Sequence, residues 1–152
     1  MPAICLQHGE PRGMTWCQSS LPKSSNALTW RGSEDKSVRW AGAFATCCGR
    51  AAIQSSTIVY EIEAGGHLGW HTDATEETQY IIAGTGALRM DHGVGPGAIF
   101  ALPPNVRHDL VDVGTETLRA VALFAAAMFT QTFDEVMLSP KTHVLGTPNR
   151  EG

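Results

Sequence analysis

The chain has 152 residues, 43% hydrophobic and 17% charged, which suits one domain with a real core and no need of disulfide staples. Eleven Lys and Arg against fifteen Asp and Glu give a net charge of -4, and no basic run exists to meet a phosphate backbone, so no nucleic-acid partner is expected. The longest apolar run, residues 120–129, is too short to cross a bilayer, and no signal peptide is visible, so a cytoplasmic protein with reduced thiols and no membrane attachment is expected.

Residues 1–37 are rich in Ser, Pro, Gly and Gln without sustained periodicity and read as an N-terminal arm or lead-in. From Val38 onward, short β-branched, aromatic and aliphatic runs alternate with Gly, Pro, Asn and Asp. That is the pattern of an all-β domain, here over 38–130. Strands are predicted at 38–46, 54–63, 77–83, 86–91, 98–102, 107–112 and 118–128. Gly65-Gly66 closes one strand, Gly84-Thr85-Gly86 makes a tight hairpin, residues 92–97 a looser turn, and Pro103-Pro104-Asn105 breaks the next run. A helical turn fits Phe133–Leu138, and 131–152 reads as a C-terminal tail. Cys5 and Cys17 lie in the lead-in, and adjacent Cys47 and Cys48 point to opposite faces of any strand, so no zinc spacing arises.

The polar residues of the middle of the chain carry the chemistry. His71 and Asp73 are two apart on an extended segment and share a side. Strand parity then sets Glu77, Gln79, Ile81 and Ala83 on one face, and His108 stands on a later strand. A barrel interior can bring these strands to one point.

In this region the chain resembles the cupin family. The first family motif, G-x5-H-x-H-x3,4-E-x6-G, is met by Gly65-x5-His71-x-Asp73-x3-Glu77-x6-Gly84. The second, G-x5-P-x-G-x2-H-x3-N, is met by Gly97-x5-Pro103-x-Asn105-x2-His108-x3-Asp112. The resemblance covers roughly 38–128 and implies a double-stranded β-helix (jelly-roll) barrel with one divalent metal held by His71, Glu77 and His108. Asn105 replaces a turn Gly but also tolerates positive φ. The larger departure is Asp73, where the family usually places a second histidine.

If Asp73 reaches the metal, the site has two imidazoles and two carboxylates, a set that favours Fe(II) or Mn(II); Zn and Ni are also compatible with the family. If it falls short, the other three form a 2-His-1-carboxylate set with positions open to substrate, and Asp73 can serve as a base. The spacing of His71, Asp73 and His108 also resembles the iron ligands of 2-oxoglutarate oxygenases, although no Arg motif for that cosubstrate is in place. Asp73 and Glu77 are thus the candidate catalytic groups, with Gln79 and Arg119 as candidate substrate contacts. Ile58, Tyr60 and Ile62 read as core, Trp70 should face away from the site, and His8, His67, His92 and His143 read as surface residues. The expected function is a metal-dependent enzyme acting on a small polar molecule, oxidative first, non-redox isomerase or lyase second, and a non-catalytic binding module third. A homodimer is expected from the unpaired strand edges and terminal segments.

Overall fold

Seven residues from Ser56 to Ile62 illustrate how the chain folds: the even positions 56, 58, 60 and 62 are buried and the odd ones between them are half-buried, the period of a strand on a core. In the computed structural model, which describes residues 27–44, 46–47, 50–51, 54–91, 93–96, 99–138 and 141–147, this alternation recurs at 99–102 and 118–124, and no helix appears among the described residues. The strands are β1 (Ala27–Arg31), β2 (Arg39–Phe44), β3 (Thr46–Cys47), β4 (Arg50–Ala51), β5 (Ser56–Ile62), β6 (His71–Asp73) and β7 (Glu77–Ala83), followed by β8 (Gly86–Met90), β9 (Gly93–Pro96), β10 (Ile99–Leu102), β11 (His108–Asp112), β12 (Leu118–Phe124), β13 (Thr130–Met137) and β14 (Thr142–Gly146).

Two six-stranded antiparallel sheets result, ordered β1-β2-β5-β12-β7-β10 and β14-β13-β6-β11-β8-β9, with β3 and β4 as a separate small hairpin. This is an all-β jelly roll, as expected. Its inner faces meet in one core, where Trp30 stacks on Trp40 with ring centroids 5.3 Å apart. Phe133 of the opposite sheet closes on both rings, at 5.7 and 6.2 Å. Burying such rings contributes about 1.5–3 kcal/mol each and binds the two sheets together.

The expected strands are all present with small shifts of their ends, and β7 begins and ends where expected. Other expectations need correction. Phe133–Leu138 is no helical turn: its first five residues lie in β13, where Phe133 pairs with His71 and Gln131 with Asp73. Residues 134–136 break the alternation, and the β13–β14 register shifts between Thr132 and Met137, which hides the strand period from the sequence. The 131–152 tail likewise yields β14, and the 1–37 lead-in yields β1, an edge strand paired residue for residue with β2. Cys5, Cys17, Cys48, His8 and His92 lie outside the described residues. Among the described residues no helix is long and apolar enough to cross a membrane.

The turns behave as their residues demand. Asn105 has φ 63° and Gly84 φ 80°, the region that favours Asn and Gly. A Cβ on Gly84 would lie 2.7 Å from the Leu118 Cα and 3.1 Å from the Thr117 carbonyl oxygen. Gly84→Ala is therefore expected to destabilise the fold by about 1–3 kcal/mol, through strain at positive φ and a backbone clash. Thermal melts should show a loss of about 2–4 °C for each kcal/mol; an unchanged melting temperature contradicts the tight approach.

Candidate metal centre

His71, Asp73, Glu77 and His108 lie together, each offering one ligand atom within 4.8 Å of all the others. The four come from both sheets: β6 supplies His71 and Asp73, β11 supplies His108, and β7 supplies Glu77 from the facing sheet. His71 and His108 are direct partners across β6 and β11, with ring centroids 4.2 Å apart. All four side chains are at most 2% exposed.

Both imidazoles are oriented by the same local device. His71 Nδ1–H donates to the Gly69 carbonyl at 2.7 Å, and His108 Nδ1–H donates to the Val106 carbonyl at 2.8 Å. A carbonyl can only accept, so both rings are held with Nε2 turned into the site. His108 Nε2 lies 3.2 Å from Glu77 Oε2 and 3.5 Å from Asp73 Oδ2; His71 Nε2 lies 3.8 Å from Asp73 Oδ2. His71 Nε2 and both Asp73 oxygens are buried with no hydrogen bond of normal geometry among the described residues. Buried polar atoms left this way cost free energy unless something fills the gap between them. Two imidazole nitrogens and two carboxylates fit a divalent cation, which would satisfy these atoms and neutralise the carboxylates.

Protonation follows from the crowding. Burial, then the Glu77 charge, pushes the Asp73 carboxyl up to about 8, against the opposing pull of the His108 charge and, more weakly, of Gln131 opposite. Burial and the neighbouring His108 push His71 down to about 4. Burial also pulls on His108, but the Glu77 hydrogen bond and charge outweigh it and leave this imidazole raised.

Around the ligands stand two groups that matter. Gln79 is fully buried two residues beyond Glu77 on β7, accepting at Oε1 a 2.8 Å hydrogen bond from the Tyr60 hydroxyl. Its Nε2 has no partner among the described residues. Tyr60, read from sequence as plain core, therefore belongs to the polar site. Two small residues make this reach possible: Ala120 and Ala122 of β12 stand opposite Tyr60 and Gln79, so the phenol extends over the strand between β5 and β7. No parity argument shows a contact across an intervening strand. A cavity lined by Trp40, Ile58, Tyr60, Leu68, Glu77, Ala122, Gln131 and Phe133 adjoins the ligands, with room for about one water.

Arg119 is a correction. It sits on the half-buried outer side of β12, pairing with Glu61 at 2.7 Å, because its neighbours Leu118 and Ala120 take the inward positions. His67 is another: it is 7% exposed rather than a surface residue, held between Asp35 at 3.0 Å and Asp109 at 2.8 Å. Trp70 faces away from the ligands as expected, beneath the Arg107 guanidinium at 4.0 Å. His143 is exposed and bonds the Phe133 carbonyl.

Residues 58–124 match the family model of the cupin domain. Among solved structures the fold is similar to that of AerE from Microcystis aeruginosa, with a TM-score of 0.50 and 17% identity over 57% of this chain and 41% of that one. It is also similar to salicylate 1,2-dioxygenase from Pseudaminobacter salicylatoxidans, with a TM-score of 0.51 and 15% identity over 58% of this chain and 26% of that one. The adducts of that enzyme with gentisate give a TM-score of 0.51 at 14% identity, over 58% and 25%. This chain thus spans less than half of AerE and about a quarter of the dioxygenase. No curated protein matches the sequence.

The titrations give a signed prediction for the metal-free protein. Above pH 6.5 the folded Asp73 and His108 hold protons that the unfolded chain has released, so stability falls as pH rises toward 8. Below 6.5 the neutral His71 acts in the opposite sense to Asp73 and flattens the curve. A divalent ion displaces the site's protons, so the rise in melting temperature on adding Mn(II) should be larger at pH 8 than at pH 6.5. Melts of chelated and metal-supplied protein across this window check both; equal stabilisation at the two pH values contradicts the protonated site.

Proposed function

We propose that this chain, which carries a cupin domain over residues 58–124, is a metal-dependent enzyme acting on a small polar organic molecule by oxidative, dioxygenase-like chemistry. The observation that carries the reading is the fully buried set of two imidazoles and two carboxylates, whose free nitrogen and oxygen atoms converge on one point. Fe(II) is the ion this oxygen-rich set suits best, and when bound it supplies a redox centre and Lewis acidity at open coordination positions. The chain's own residues do the rest. His71 and His108 are held in a fixed tautomer by Gly69 and Val106. Trp40, Ile58, Leu68 and Phe133 keep water away, which strengthens every polar contact inside. Gln79, anchored by Tyr60, offers a free N–H to a substrate oxygen. Asp73, if its carboxylate is left free of the ion, would stand beside the open positions as a group to accept or pass a proton.

That arrangement favours a second reading, a non-redox isomerase or lyase in which Asp73 would move a proton while the ion polarises a carbonyl. The dioxygenase likeness supports the first and supplies probes, salicylate and gentisate. Elemental analysis combined with oxygen uptake after anaerobic Fe(II) loading separates the two. Iron with substrate-dependent uptake is the expected result. Zinc or manganese without uptake supports the isomerase or lyase, and no metal at all supports a plain binding module. Asp73→Asn should keep the fold and lower turnover under either enzymatic reading; full activity would make Asp73 a bystander.

A homodimer is part of the proposal. Tyr80, Ile82, Ile99 and Leu123 expose a run of apolar surface on the outer face of one sheet, where Tyr80 and Ile99 are cross-strand partners. Light scattering is expected to give twice the 16.3 kDa chain mass; the single chain mass at micromolar concentration contradicts pairing.

A further inference from the structure

The backbone pairing that joins the two histidine strands is interrupted at Gly69. Among the described residues, β6 and β11 share one register pair, His71 with His108. Pairing resumes at His67 with Val111, one residue out of register with the histidine pair, and such a slip matters because each register step moves a side chain to the other face. The Leu68 N–H to Leu110 carbonyl bond at 3.0 Å and the Asp112 N–H to Gly66 carbonyl bond at 2.9 Å hold the far side, and the gap between them and the histidine pair is left to a side chain.

Asp109 follows His108 directly and turns to the opposite face of β11, yet it is 0% exposed. Its Oδ1 accepts from the Gly69 N–H at 3.0 Å. Its Oδ2 accepts from His67 Nδ1 at 2.8 Å and from the Arg89 guanidinium. His67 and Gly69 both belong to the segment that leads into His71, and the Leu68 N–H between them bonds the Leu110 carbonyl of β11 at 3.0 Å. The Gly69 peptide is the link: its N–H is taken by Asp109, while its carbonyl receives His71 Nδ1–H.

We infer that Asp109 is a positioning residue for the metal centre, a carboxylate splint that spans the interruption in the pairing between the strands of His108 and His71 and aims the His71 ring through the Gly69 peptide. The inference rests on the metal reading above. Gly69 suits the role because it has φ 98°, a conformation that side chains seldom adopt, and this lets its N–H and carbonyl face the two partners. A carboxylate suits it because each oxygen serves a separate donor set. An amide cannot: its NH2 end repels either the Gly69 N–H or the His67 and Arg89 donors.

The test is Zn(II) affinity, with the His71 tautomer read by nitrogen NMR in the metal-free protein. Asp109→Asn should lower Zn(II) affinity by about 10–100-fold, the usual effect of losing a group that orients a ligand. It should also loosen the single Nδ1–H tautomer of His71, which a loss of general stability would not do in protein that remains folded. Arg89→Met, which spares the Gly69 bond, should change both much less. Wild-type affinity and an unchanged tautomer in folded Asp109→Asn overturn the splint. His71→Ala separates the two levels: if it binds Zn(II) normally, the metal reading fails, whereas if it loses the ion and Asp109→Asn does not, only the splint fails. Should Asp109→Asn not fold, hydrogen exchange in the wild-type protein decides. A strongly protected Gly69 amide supports the splint, and exchange at the rate of an open amide overturns it.

Discussion

Two carboxylates and two imidazoles share a space from which water is excluded, and most of the structure answers that constraint. Leaving Asp73 and Glu77 both ionised there, at 2% and 1% exposure, would carry a large desolvation cost without a cation beside them. The imidazoles cannot relieve it through Nδ1, because those hydrogens are committed to Gly69 and Val106. Relief must come at the centre, either from protons held by His108 and Asp73 or from a divalent ion. The raised Asp73 and His108 and the lowered His71 are one compromise seen from three groups.

Because Glu77 comes from one sheet and the other three ligands from the opposite one, sheet packing is what assembles the centre. The gap between stacked sheets is about 10 Å, so side chains from both faces meet near its middle. Phe133 works on both sides of this arrangement, stacking near Trp30 and Trp40 and lying 5.0 Å from His71. The aromatic core therefore holds the sheets at the separation that the ligands need. Ala120 and Ala122 do the complementary work, withholding bulk where Tyr60 must cross β12 to reach Gln79.

What was legible in the sequence follows the range of each signal. Turn chemistry is local, and Asn105 and Gly84 take the positive φ that their residue types announce. Strand parity is nearly as local, and it puts Glu77 and Gln79 on the inner face of β7. The spacing of His71, Asp73, Glu77 and His108 was legible because two linked motifs constrain it jointly. What was not legible depends on pairing between distant segments. Tyr60 looks like Ile58 and Ile62 by period, and only the small residues of β12 reveal where its hydroxyl goes. His67 lacks motif spacing, and its burial comes from Asp35 and Asp109, 32 and 42 residues away. Arg119 shows the reverse error, in which a cation on a late strand suggested a substrate contact that β12's own alternation forbids.

Asp73 is where these threads meet. Its place in the register is opposite Gln131 of β13, and its short side chain leaves its oxygens in the space between the sheets, 3.5 Å from His108 Nε2. A histidine there would bring a third imidazole and remove a negative charge. With aspartate, a divalent ion would be fully neutralised by its two carboxylates, which weakens its pull on a neutral carbonyl and steadies a higher oxidation state. The aromatic wall adds to the effect, since a neutral centre is the one that a dry, apolar surround tolerates at least cost. With a divalent ion in place, charge, burial and the choice of aspartate would together keep the centre's net charge near zero, a condition that fits the proposed oxidative reading better than strong Lewis-acid catalysis.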